Sequence, residues 1–210
     1  MMLSSPSICS ILLALSFHFN RAQGDMEIIG YRTASDAEAV YINENHKLDP
    51  NIEYDRGMAF HQLGRGFYMS NVPTRWRARS NEWYCAVKAD SDKLEDIGKV
   101  WIPKAISADE KQWPLGKPLW YQREEVLLSY IKEHVPEDPE KALRFSYLSS
   151  YENDLQMVIP HETIKDDKLE LWLECWKTEG EMLDFSNEII NWDKYEIAGK
   201  PEPAAEEAEE

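Results

Sequence analysis

The apolar positions of this chain change period several times along its length, and each change marks an expected element. Ile28, Ile29 and Tyr31 belong to a short extended run from Met26 to Tyr31. Ser35-Asp36-Ala37-Glu38 then places a hydroxyl three residues ahead of an acid, a capping box that predicts a helix carrying Ala39, Val40 and Ile42 toward His46. Leu63 to Ser70 is strand-like and aromatic, with glycines where backbone must approach something closely. Trp83 to Lys88 and Lys99 to Pro103 predict two more strands, joined by an acidic turn from Asp90 to Asp96. Val126, Leu127, Tyr130 and Ile131 recur at helical spacing over Glu124 to His134, and Pro136 ends that helix. Leu143 to Leu148 and Leu155 to Pro160 read as strands on either side of a polar turn, Ser149 to Asp154. Leu169 to Trp176 and Met182 to Ile190 are expected to be helical, before a last strand at Tyr195 to Ile197. Several short strands with helices near both ends predict an α+β domain built round antiparallel sheets.

The two ends of the chain read differently from its body. Ile8 to Phe17 is apolar and is followed by Arg21-Ala22-Gln23-Gly24, the pattern of a signal peptide over residues 1–24 that is too short to cross a bilayer. A secreted chain beginning near Asp25 is therefore expected, with one domain over 25–199. The tail 200–210 is proline, alanine and glutamate, which cannot bury enough surface to fold. The formal charge of −16 becomes −17 once Arg21 is removed, which disfavours nucleic acid and anionic membranes as partners. A monomer without stable membrane insertion is expected. Cys9 leaves with the leader, so Cys85 and Cys175 either form one long-range bridge or stay as two buried thiols. The histidines are scattered singly and no Cys/His spacing suits a metal.

Candidate chemistry centres on two phrases, Ile29-Gly30-Tyr31-Arg32-Thr33 and Leu63-Gly64-Arg65-Gly66-Phe67-Tyr68-Met69-Ser70-Asn71. A guanidinium leaving a strand offers a planar fork to phosphate and stays charged at any working pH. Downstream, Tyr151-Glu152-Asn153-Asp154 enters the apolar Leu155-Gln156-Met157-Val158-Ile159-Pro160. Strand-arginine, then an aromatic strand ending in serine, then an acidic turn entering a strand, resembles the arginine-serine-glutamate branch of the ADP-ribosyltransferase superfamily, with secreted enterotoxin-like members. The serine triplet of that branch is here Tyr68-Met69-Ser70.

The resemblance implies two small antiparallel sheets with flanking helices forming a cleft for NAD, which is consumed as substrate. It implies that Arg32, beside Tyr31, holds the phosphates, and that Gly66, Phe67, Tyr68 and Ser70 shape the nicotinamide pocket. Glu152, Asp154 or Gln156 would act on the ribose, and the spacing does not choose among them. The implied reaction cleaves the nicotinamide-ribose bond and transfers ADP-ribose to a protein acceptor, with water as the alternative acceptor. A non-catalytic effector on the same scaffold is the outside-class alternative. Thr74-Arg75-Trp76-Arg77-Ala78-Arg79, the one basic cluster, is either a phosphate or acidic-partner contact or a solvated loop. The eight tryptophans raise a glycan-binding rival, although Trp101, Trp113, Trp120, Trp172, Trp176 and Trp192 fall in apolar segments where core packing is their usual use.

Overall fold

The computed structural model describes residues 24–51, 61–106, 114–149 and 151–201, except the side chains of 151–153. The expected leader and tail fall almost wholly outside these residues. The described chain runs β1 (Met26–Ser35), α1 (Asp36–Asn45), β2 (Gly66–Ser70), β3 (Glu82–Asp90), α2 (Ser91–Asp96), β4 (Lys99–Trp101) and α3 (Glu124–His134). It continues through β5 (Leu143–Leu148), β6 (Tyr151–Pro160), α4 (His161–Lys165), β7 (Trp172–Trp176), α5 (Glu179–Phe185) and a 3-10 turn at Trp192–Lys194. The architecture is α+β, with seven strands in one mixed sheet ordered β4-β5-β6-β2-β1-β3-β7. Among these described strands, β4 and β5 are the one parallel pair.

The two separate antiparallel sheets that the sequence led us to expect are therefore one sheet, joined at a narrow seam. β1 pairs with β3 at nine positions but with β2 at one, Tyr31 opposite Ser70. That single pair bridges a three-strand half, β1-β3-β7, and a four-strand half, β4-β5-β6-β2. Apolar side chains cover both faces. One cluster packs Ala39 and Ile42 of α1 with Ile29, Phe67, Met69, Phe145 and Trp192. The other packs Leu127, Tyr130 and Ile131 of α3 against Tyr68 and Val158.

Local chemistry explains where expectation and structure agree or part. Ser35 caps α1 by accepting the Glu38 amide, one half of the expected capping box, while the Glu38 carboxylate lies near Arg32. α3 and β5 have the expected bounds. The acidic turn after β3 is instead α2, because the Asp90 carboxylate accepts the Lys93 amide and starts a helix there. The segment around Leu169 to Trp176, expected as a helix, contains β7. Its buried residues Leu169, Leu171, Leu173 and Cys175 alternate with a period of two, while Trp172 and Trp176, four apart, imitate a helical face. Helix α5 stops at Phe185, well short of Ile190. Beyond it Tyr31 pulls the chain inward, its hydroxyl 2.7 Å from Ser186 Oγ and donating to Glu188 O at 2.9 Å. The strand expected at Tyr195 to Ile197 is replaced by a single parallel bridge, Ala198 with Val100, which covers the outer side of β4.

At the opposite edge, Cys85 of β3 and Cys175 of β7 face each other in register and are joined by a disulfide. Asn43 of α1 closes the far side of β7: its amide donates to Cys175 O and accepts Cys175 N–H, both at 2.8 Å. A side-chain amide thus stands in for the next strand.

Candidate functional site

The seam brings the sequence candidates into one region. Tyr31 of β1, Ser70 of β2 and Gln156 of β6 lie in a row across three strands, Ser70 being paired with both of its neighbours. Arg32 follows Tyr31 and is paired on its other side with Cys85. The Arg32 guanidinium lies over the Phe67 ring of β2, 4.2 Å from its centroid. Its Nε donates to Thr33 O at 2.8 Å, and an outer nitrogen lies 3.6 Å from Glu38.

The remaining candidates divide into positioning groups and groups at the seam. Tyr31 and Tyr68 are core residues. Burial raises the Tyr31 hydroxyl above the ordinary tyrosine pKa, the Ser186 hydrogen bond lowers it in part, and Glu188 raises it further. Tyr68 donates to Gly64 O at 2.7 Å and accepts the Leu63 amide at 3.0 Å, which fixes the turn entering β2. Gly66 carries φ 154° and lies so close to β6 that a Cβ would meet Ile159 O at 2.4 Å. Ser70 is buried and accepts the Val72 amide at 3.2 Å.

The three candidates for the ribose group all lie within β6 rather than in a turn, because the strand begins at Tyr151. The side chain of Glu152 lies outside the described residues. Asp154 is buried and pairs through one oxygen with Arg75, while its other oxygen is buried without a hydrogen-bond partner. Gln156 is buried, and its amide donates to Ser146 Oγ at 3.1 Å. Gln62, from the segment leading into β2, donates to the same Ser146 Oγ at 3.1 Å and to Tyr147 O at 2.7 Å. Sequence reading missed Ser146 and Gln62, since one polar residue in a strand carries no signal until its neighbours are known.

The basic segment Thr74 to Arg79 is part of this region rather than a remote loop. Tyr31, Arg32, Val72, Thr74, Arg75, Trp76, Tyr84 and Met182 line a narrow cleft of about 10 Å³, room for about one water. The Arg32 side chain is largely covered there, at 13 % exposed. No group of three or more metal-ligating side chains occurs among the described residues. No helix among them is long and apolar enough to cross a membrane. Trp101, Trp120 and Trp192 are core, as their apolar settings suggested, and Trp113 lies outside the described residues.

An α+β protein whose polar and charged groups gather at a seam in its sheet is the class that fold and site define. The chain belongs to a family of unknown function (DUF5910), matched over residues 61–200. No curated protein matches it, and no solved structure does.

Proposed function

We propose that this protein is a secreted, NAD-consuming enzyme of the ADP-ribosyltransferase type, with water as its principal acceptor. The observation that supports this most is the row Tyr31, Ser70, Gln156 across β1, β2 and β6, with Arg32 at the seam beside it. The reading requires a phosphate-binding cation and a ribose-binding group at one cleft, and it draws them from Arg32 of β1 and Gln156 of β6, the strands on either side of β2. Arg32 would hold the pyrophosphate and Gln156 a ribose hydroxyl, while Ser70, in register between Tyr31 and Gln156, would lie against the nicotinamide.

Nicotinamide leaves as a neutral base, so no protonated acid is required on the enzyme. The C1′–N bond breaks, the ribose carries the developing positive charge, water forms the new C–O bond and one proton is released. Groups fixed beforehand around that charge lower the barrier without reorganising. Water is favoured over a protein side chain because, of the two candidates whose side chains are described, Gln156 is neutral and Asp154 is paired with Arg75. The second reading, transfer to a protein, would draw on Asp154 once it parts from Arg75. Export is supported by the Cys85–Cys175 bridge, which belongs to oxidising compartments.

The test is release of nicotinamide from NAD by the protein from Asp25 onward. Arg32→Ala and Gln156→Ala should each lower the rate by at least about 100-fold, the loss seen when one stabilising group is removed from a charged transition state. Circular dichroism must show both variants folded. A folded wild type that releases no nicotinamide, with or without added protein as acceptor, would refute the reading.

A further inference from the structure

The segment between β2 and β3 crosses the seam in front of Arg32, and its attachments are unevenly distributed. At one end Asn71 is fixed to Ile190, donating through Nδ2 at 3.1 Å and accepting the Ile190 amide at 2.9 Å. At the other end Arg79 N–H donates to Glu82 Oε2 at 2.9 Å, and Glu82 N–H donates to Arg79 O at 3.0 Å. Between these anchors the span contains a turn, in which Arg75 N–H donates to Val72 O at 3.3 Å, and its contacts outward include Trp76, packed against the α3 cluster, and the reach of Arg75 to Asp154 on β6.

Two features give the middle of this span the character of a catch. Thr74, next to Arg75, has φ 56°, a left-handed conformation that a β-branched residue adopts at a cost and that the surroundings must sustain. Asp154 has a side chain only 8 % exposed, with one oxygen paired to Arg75 and the other buried and unsatisfied, while Arg75 itself is 42 % exposed. A buried carboxylate with unused accepting capacity, held by an arginine that can rotate into solvent, has two possible arrangements.

We propose that the Arg75–Asp154 ion pair is a latch: it fastens residues 72–78 as a strap over Arg32 and keeps the seam shut until the pair parts. Breaking it frees Arg75 to turn outward, relieves Thr74 and uncovers the Arg32 guanidinium. The latch acts on populations, so a ligand for the open form binds with its affinity reduced by the fraction of molecules that are open. As a gate on NAD this rests on the function proposed above; as a cover over Arg32 it does not.

Arg32 can be probed without NAD through its reaction with phenylglyoxal, an arginine-specific reagent, followed by peptide mass spectrometry. Asp154→Asn keeps the shape of the side chain and removes its charge. It should speed Arg32 modification, and backbone deuterium exchange over 72–78, by about fivefold, the population shift that loss of a partly exposed ion pair produces. Arg75→Gln should do the same from the other side. The reversed pair, Arg75→Asp with Asp154→Arg, should restore the slow rates; if that double variant does not fold, the two single variants decide. Unchanged Arg32 reactivity in both folded single variants would overturn the latch. Faster Arg32 modification with no nicotinamide release from any variant would uphold the latch and remove the NAD reading. If wild type and Arg75→Gln both release nicotinamide, the latch requires a lower KM for Arg75→Gln with kcat nearly unchanged. An unchanged KM would mean that the strap does not gate NAD.

Discussion

Loss of the Cys85–Cys175 bridge should be among the most damaging single chemical changes to this fold, and its size follows from the chain it encloses. The two cysteines are 90 residues apart. Cross-linking a loop of that length removes chain entropy from the unfolded state worth about 4.5 kcal/mol at room temperature. Whole domains are stable by only about 5 to 15 kcal/mol, so the bridge accounts for a large part of the margin. Unfolding in urea with and without reductant compares the same side chains, and a double Cys85→Ala, Cys175→Ala variant gives an independent arm. With a slope of about 2 kcal/mol per molar, the urea midpoint should fall by about 2 M. The melting temperature should fall by about 9 to 18 °C, at about 2 to 4 °C per kcal/mol for a domain of this size. A midpoint shift under about 0.5 M would refute the reasoning, since it would mean that the reduced unfolded chain is already as confined as the bridged one.

Other consequences can be checked with the same material. Glu124→Gln should cost about 3 kcal/mol in urea unfolding, because Arg144, whose side chain is 1 % exposed, keeps its charge but loses its carboxylate partner; a loss under about 1 kcal/mol would refute this. Asn43→Ala should cost about 2 kcal/mol and speed exchange of the Cys175 amide, which loses its acceptor. Gly64→Ala should lower the melting temperature, since φ is 82° and the new Cβ would lie 2.3 Å from a Glu124 oxygen and 2.4 Å from an Arg144 nitrogen. Burial holds the hydroxyls of both Tyr31 and Tyr195 above the ordinary tyrosine pKa. Above about pH 10 the unfolded chain therefore releases protons that the folded chain retains, so the stability these groups lend is complete below that pH and is lost as pH rises. Tyr31→Phe with Tyr195→Phe should flatten this alkaline decline, and an unchanged slope in urea unfolding against pH would count against it.

Much of the frame was legible because it is written in local chemistry. Ser35 announces α1, Pro136 closes α3, and the runs of β2 and β5 are short, apolar and rich in aromatics. The failures came where two periods overlap or where the partner lies far away in sequence. Along β7 the alternation of Leu169, Leu171, Leu173 and Cys175 was present, but two tryptophans four apart gave an equally clear helical beat. That β7 would lie beside β3, bringing Cys175 opposite Cys85, depends on register, which neither strand reveals alone. Arg32, Ser70 and Gln156 were legible as residues, and their nearness is a matter of strand order. The contact between Arg75 and Asp154 was not legible at all, since a basic cluster in an irregular segment gives no indication of which acid it meets.

The seam also changes how the molecule should come into being. Taken in chain order, the seven strands alternate between the halves: β1 in one, β2 in the other, β3 back, then β4, β5 and β6 across, and β7 home again. Neither half is a continuous stretch of chain, so neither can be made first by the ribosome and wait for the other. The residues that meet at the seam, near 31, 70 and 156, span most of the domain, and such distant pairings are slow to form because loop entropy is lost before contacts repay it. β7 closes the three-strand half only after nearly all the rest has been synthesised, and the bridge from Cys85 must wait with it. Oxidation therefore comes late in assembly, as a seal on a sheet already laid down rather than a guide to its construction.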